Sequence, residues 1–121
     1  MNQKALRWLL AAALAGAAAG AIAADKYGAI AFNKDTRAFG YSFDHPSQAV
    51  AERRAVAECG AGCKSMAWFA NGCGALAVSP NRYGTATGPS RADAERQARS
   101  RCGAADCKVL VQSCTQLPKK Q

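Results

Sequence analysis

The chain is poor in groups that do proton chemistry. It has one histidine, His45, and eight acidic residues against sixteen lysines and arginines. General acid–base catalysis needs a positioned proton donor or acceptor within reach of the reacting group. Asp25, Asp35, Asp44, Glu52, Glu58, Asp93, Glu95 and Asp106 show no paired arrangement beyond local helix neighbours. Asp44, His45 and Ser47 are close in sequence, but triads are assembled from distant segments, and near neighbours on one strand do not converge. That stretch reads as a turn before a helix. A redox Cys-x-x-Cys is absent. Residues 8–22 are an apolar run of about 15 residues, short of the ~20 that a spanning helix needs. The expectation is a non-enzymatic protein with no catalytic, cofactor-binding or metal-ligating residue and no cofactor.

What is present at the start is Lys4 and Arg7, the apolar run, and then small residues ending Ala21-Ile22-Ala23-Ala24. That order predicts a secretory signal peptide over residues 1–24. No membrane span remains after its cleavage. No cysteine sits at the cleavage point to carry a lipid. The expected location is therefore periplasmic or secreted. All six cysteines, Cys59, Cys63, Cys73, Cys102, Cys107 and Cys114, follow the signal. An even cysteine count in a small exported chain reads as a disulfide framework, because a core this small is marginal without help. The formal charge is +8, and loss of Lys4 and Arg7 leaves the mature chain less basic by two. A basic exported surface suits another protein or an acidic envelope polymer; the charges are scattered and do not form one block.

The stretch 47–63, SQAVAERRAVAECGAGC, recurs as 90–107, SRADAERQARSRCGAADC. In each, a proline stops a strand, a serine caps a helix, small residues recur at i, i+4, i+8, and a glycine ends the helix before a second cysteine. The small-residue stripes are Ala51, Ala55 and Cys59, then Ala94, Ala98 and Cys102. Ser90 with Asp93 resembles a capping box, and Glu95 with Arg99 has ion-pair spacing. Upstream of each helix lie two alternating segments around a polar turn, which is a hairpin signal. Ile30 and Phe32 pair in pattern with Phe39, Tyr41 and Phe43; residues 74–78 and Tyr83, Thr85 and Thr87 repeat it. Downstream of each helix, residues 63–69 and 107–112 read as return strands. The fold class is thus α+β: two strand-strand-helix-strand pseudo-repeats, 27–73 and 74–114, share one core, with antiparallel sheet and helices on one face. The domain spans residues 25–116, and 117–121 form a basic tail. One sheet or two is left open.

If the bridges follow the repeat, the favoured set is Cys59–Cys63, Cys102–Cys107 and Cys73–Cys114, the last stapling the ends of the two return strands. The rival set is Cys59–Cys73, Cys102–Cys114 and Cys63–Cys107. Cys-x₃-Cys also fits half of a zinc site by spacing, but an oxidising compartment disfavours the thiolates zinc needs. Among binding candidates, Arg53, Arg54, Arg96 and Arg99 would form a basic surface if both helices lay on one face, joined by Arg91 and Arg101. Specific nucleic-acid binding is not expected, because the aromatics fall in strand patterns that suit a core. Trp68 and Phe69 are consecutive on a strand and face opposite sides, so at least one lies outside the helix-facing core, and Trp68, if exposed, is the candidate partner anchor.

Tyr27-Gly-Ala-Ile-Ala, the two Pro-Ser-x-Ala-x-Ala-Glu-Arg-like helix starts, the Cys-Gly…Cys-Lys pairs and residues 68–78, WFANGCGALAV, together resemble the bacterial domain-of-unknown-function family 4189. The resemblance covers about residues 27–114 and implies a small exported, cysteine-containing protein. It implies no activity. The expected function is an exported binding module, with an inhibitor or immunity-type protein as one version. A carbohydrate or anionic-envelope binder using Trp68 or Tyr83, and an uncharacterised enzyme, are the alternatives.

Overall fold

A computed structural model describes residues 25–116. The expected signal peptide and basic tail lie outside the described residues. The order is β1 (Tyr27–Phe32), β2 (Phe39–His45), α1 (Gln48–Cys59), β3 (Lys64–Ala70), β4 (Cys73–Val78), β5 (Tyr83–Gly88), α2 (Arg91–Cys102) and β6 (Lys108–Cys114). The α+β class and the doubled strand-strand-helix-strand order hold.

The strands form two antiparallel sheets of three, ordered β2-β1-β3 and β5-β4-β6. Alternation along β1 decides how they stack. Ala29 and Ala31 face Ala51 and Ala55 of α1. Ile30 and Phe32 face the other way, into a core shared with Phe69, Leu76 and Val111. In the second copy Ala75, Ala77 and Ala86 receive Ala94, Ala98 and Cys102 of α2. The layers therefore run α1, sheet, sheet, α2. Each helix covers one face of its own sheet, and the two inner faces make the main core. The alanine stripes matter because they let each helix lie low on its sheet. A Cβ at Gly40 would stand 2.3 Å from the Ala55 carbonyl oxygen, and one at Gly84 2.3 Å from the Cys102 nitrogen.

Ser47 caps α1 by accepting the Val50 N–H (3.2 Å), and Ser90 caps α2 by accepting the Asp93 N–H (3.2 Å). The expected capping box takes a different form. The Ser90 hydroxyl donates to Asp93 Oδ2 (3.0 Å), so the carboxylate serves the cap side chain rather than its backbone. Gly103 ends α2 in the left-handed region, whereas Gly60 ends α1 at φ 102° and ψ −163°, outside it. The ion pairs of the described residues are Arg54–Glu58 (2.8 Å) and Arg96–Asp93 (2.6 Å). Glu95 and Arg99, expected from their spacing to pair, are not among these ion pairs; Asp93 instead pairs with Arg96.

The bridges are Cys59–Cys63, Cys102–Cys107 and Cys73–Cys114. One part of the sequence reading is corrected. Cys73 does not end the first copy; it opens β4 directly opposite Cys114 on β6. Its counterpart in the first sheet is Tyr27, opposite Ala70. The third bridge therefore locks two neighbouring strands of one sheet, and no bridge joins the halves. The halves are tied by the shared core and by polar links. The Arg37 guanidinium donates to the carbonyls of Ser79 (2.8 Å) and Pro80 (2.6 Å), and the Ser113 hydroxyl to that of Ser42 (3.1 Å).

Candidate functional site

The arginines expected to form one basic surface are separated. Arg53 and Arg54 are exposed on α1, Arg96 and Arg99 on α2. The helices sit on opposite outer faces with both sheets between them, so the condition for a shared basic patch is not met. Arg54 and Arg96 are also engaged with Glu58 and Asp93. The Arg96 guanidinium, then the Ser90 hydroxyl, hold the Asp93 carboxyl below its ordinary value. The Asp44, His45 and Ser47 side chains have separate tasks or positions. Asp44 Oδ1 accepts the Gln116 N–H (2.8 Å) and Ser47 is the helix cap. Among the described residues no group of three or more His, Cys, Asp and Glu side chains is placed to hold a metal ion.

Of the consecutive pair, Phe69 is the buried one and Trp68 is 44% exposed. Trp68 lies on the α1 side of β3, its ring centroid 6.2 Å from that of Tyr27 at an interplanar angle of 37°.

The larger departure is on β2. Its aromatics fit a core pattern by alternation, yet Phe39, Tyr41 and Phe43 are 40, 45 and 47% exposed. The inward positions of β2 are Gly40 and Ser42, which face α1; the Ser42 hydroxyl donates to the Ala51 carbonyl (2.7 Å). The aromatics therefore take the opposite face, at the rim of the sandwich, where the second sheet only partly covers them. With His45, and with Arg54 and Glu58 from α1, residues 39–43 line a groove of about 440 Å³ along the outer edge of β2.

Backbone parity shows what this edge offers. The Asn33 N–H donates to the Ala38 carbonyl (2.9 Å), making that the first bonded pair of the hairpin. Antiparallel pairs alternate between bonded and non-bonded. Phe39 and Tyr41, opposite Phe32 and Ile30, fall in the non-bonded positions, so their N–H and C=O groups point off the sheet. The same count from Ser79 N–H to Arg82 O puts Thr85 in the equivalent position on β5. There the outward carbonyl is closed: Arg101 donates to Thr85 O at 3.1 Å. Glu58 holds the place of Arg101, one residue before the helix-ending cysteine, and a carboxylate has no proton to give a carbonyl.

Natural sheets protect their edges with charges, bulges or covers. The outer strands β3 and β6 are each interrupted by a register shift, opposite Ile30/Ala31 and Leu76/Ala77. β5 has Arg101. β2 is shifted only near its far end, around Asp44 at φ 61°. Among the described residues, the stretch 39–42 keeps a regular, uncapped edge beside an aromatic row. The sequence signal was available in the helix copies: the arginine before Cys102 is a glutamate before Cys59.

The fold is that of a small disulfide-stapled two-sheet α+β module in which, among the described residues, the outer edge of β2 is uncovered. The chain belongs to a family described as "Domain of unknown function (DUF4189)", whose model matches residues 27–114. It is 40% identical over 82 residues to Protein Rv1269c of Mycobacterium tuberculosis and to Protein Mb1300c of Mycobacterium bovis. That match covers 67% of this chain, and the chain spans 64% of the length of those relatives. The fold is shared with the NMR structure of Rv1813c from Mycobacterium tuberculosis, at a TM-score of 0.60 and 29% identity over 74% of each chain.

Proposed function

We propose that this protein is an exported, non-enzymatic binding module that docks another protein along the open edge of β2. The observation that carries the reading is the asymmetry between two otherwise equivalent edges. One carries Tyr83, Thr85 and Thr87 and is closed by Arg101; the other carries three half-exposed aromatics and, among the described residues, is left uncapped. Aromatic side chains at a rim offer large contact area with little entropy to lose, and an open strand adds main-chain hydrogen bonds. The cystine framework suits an exported setting, since disulfides persist in oxidising compartments.

The test is differential capture. The oxidised protein and its Phe39→Ser/Phe43→Ser variant are used as baits against the exported-protein fraction of the producing cell, at low and high salt. A partner kept by the wild type at high salt and lost by the variant supports docking at β2. Equal capture by both, or capture that exists only at low salt, overturns it in favour of diffuse charge attraction.

A further inference from the structure

The exposed edge reads Phe39-Gly40-Tyr41-Ser42-Phe43. Around Tyr41 it is near-palindromic: aromatic, small, aromatic, small, aromatic. An antiparallel pairing of such a strand with itself is self-matching. Tyr41 meets Tyr41, and Phe39 of one copy meets Phe43 of the other, while the small residues meet on the opposite face. The bonding parity agrees, since Phe39 and Tyr41 present outward N–H and C=O groups. The flank agrees as well. Arg54 and Glu58, four residues apart beside the edge, are carried by a two-fold into positions where Arg54 of one copy lies toward Glu58 of the other. A single patch used on both sides is what a two-fold interface requires.

We propose that the occupant of this edge is a second copy of the chain. Two β2 strands pair antiparallel about Tyr41, and the two first sheets join into one six-stranded sheet with an α1 helix from each copy on the same side. The proposal rests on the docking reading above and names its partner. The three rings supply roughly 300 Å² per copy if they are covered completely, taking the usual size of an aromatic side chain. A standard interface buries about 800 Å² per partner, so the dimer is weak and concentration-dependent. The chain carries a formal +8, so long-range repulsion opposes pairing and salt relieves it. Association therefore tightens as salt rises, the reverse of charge-driven binding.

Sedimentation equilibrium of the purified, oxidised protein decides it. The expected result is a reversible monomer–dimer equilibrium that strengthens with added salt. Phe39→Lys and Phe43→Glu, each alone, weaken it at least tenfold. Mixing the two variants restores a heterodimer, because one end then pairs Lys with Glu and the other keeps Phe against Phe. Glu58→Arg, which supplies a donor of the kind Arg101 provides on β5, also weakens it. Thr85→Lys on the closed edge leaves it unchanged. Circular dichroism of each variant confirms the fold. A wild type that stays monomeric near millimolar concentration overturns self-pairing and leaves the docking reading to the capture experiment. A dimer that ignores the β2 substitutions, or one the mixed variants fail to restore, overturns the register and the site.

Discussion

Phe69 and two glycines show how single residues set the inner core. Gly28 of β1 and Gly74 of β4 are equivalent, and the Phe69 ring lies against both. A Cβ on Gly28 would stand 2.4 Å from Phe69 Cζ; one on Gly74 would stand 2.7 Å from Phe69 Cδ1 and 3.2 Å from Ile30 Cδ1. At Gly74 these nearest neighbours are side chains, so the clash can relax. Gly74→Ala is expected to cost about 1–3 kcal/mol by overpacking. In a Phe69→Leu background it should cost about 1 kcal/mol less, a coupling read by a double-mutant cycle in denaturant. Asp93 gives a second prediction at this scale. Arg96 first, and then Ser90, hold its carboxyl below the ordinary 3.8. A carboxyl lowered in the folded state stabilises above its unfolded value, and that contribution is lost as pH falls through the folded one. The difference in Tm between wild type and Asp93→Asn should hold from neutral pH down to about pH 4 and then close below it. A difference that stays constant to pH 2 would remove Asp93 from the account.

Helix on strand is the next scale, and Gly40 and Gly84 mark it. At Gly84 the three nearest neighbours of an added Cβ are main-chain atoms of α2: Cys102 N at 2.3 Å, Arg101 C at 2.6 Å and Ala98 O at 2.7 Å. Backbone cannot step aside without lifting the helix off Ala75, Ala77 and Ala86. Gly84→Ala is therefore expected to cost about 3 kcal/mol or more, beyond the usual range for an added methyl. Lifting the helix would also draw Arg101 from the Thr85 carbonyl and loosen the closed edge. Hydrogen exchange at Gly84 and Ala86, whose N–H groups bond to β4 on either side of Thr85, measured alongside thermal melting, checks both effects. A mild, uniform loss of protection would show that α2 does not sit on the strand backbone. The helices, caps and stripes of this scale were legible in the sequence, because Ser47, Ser90 and the i, i+4, i+8 spacing act through neighbours on one element. Protection of a strand edge was not, because Arg101 and Thr85 meet across two elements.

At the scale of the molecule, each half carries its own cystines and none crosses. Loop length ranks their contributions in the chain-entropy account. Cys59–Cys63 and Cys102–Cys107 close separations of 4 and 5 residues, whereas Cys73–Cys114 closes one of 41. Replacing Cys73 and Cys114 by Ser should cost about 4 kcal/mol, against about 2 kcal/mol for either local pair. Denaturant unfolding of the three double variants checks the order. Equal costs would mean that native packing, rather than the closed loop, sets the contribution. Because the halves meet through Ile30, Phe32, Phe69, Leu76 and Val111, they should unfold together, with core substitutions in one half lowering the single transition of both.

The sequence by itself determined the two copies, their strand-strand-helix-strand order, the α+β class and the family, because those follow from local chemistry: caps, breakers and side-chain period. The favoured cysteine pairs came from the repeat, although Cys73 was placed at the end of the wrong strand; a cross-strand bridge depends on register, which no local signal sets. Tertiary structure alone decided that there are two sheets, that the helices lie on opposite faces and part Arg53 and Arg54 from Arg96 and Arg99, and that Phe39, Tyr41 and Phe43 stand at a rim. Alternation along a strand says which residues share a face, but not whether another layer covers it. That depends on how far the opposing sheet extends, and beneath β2 it covers the aromatic row only in part.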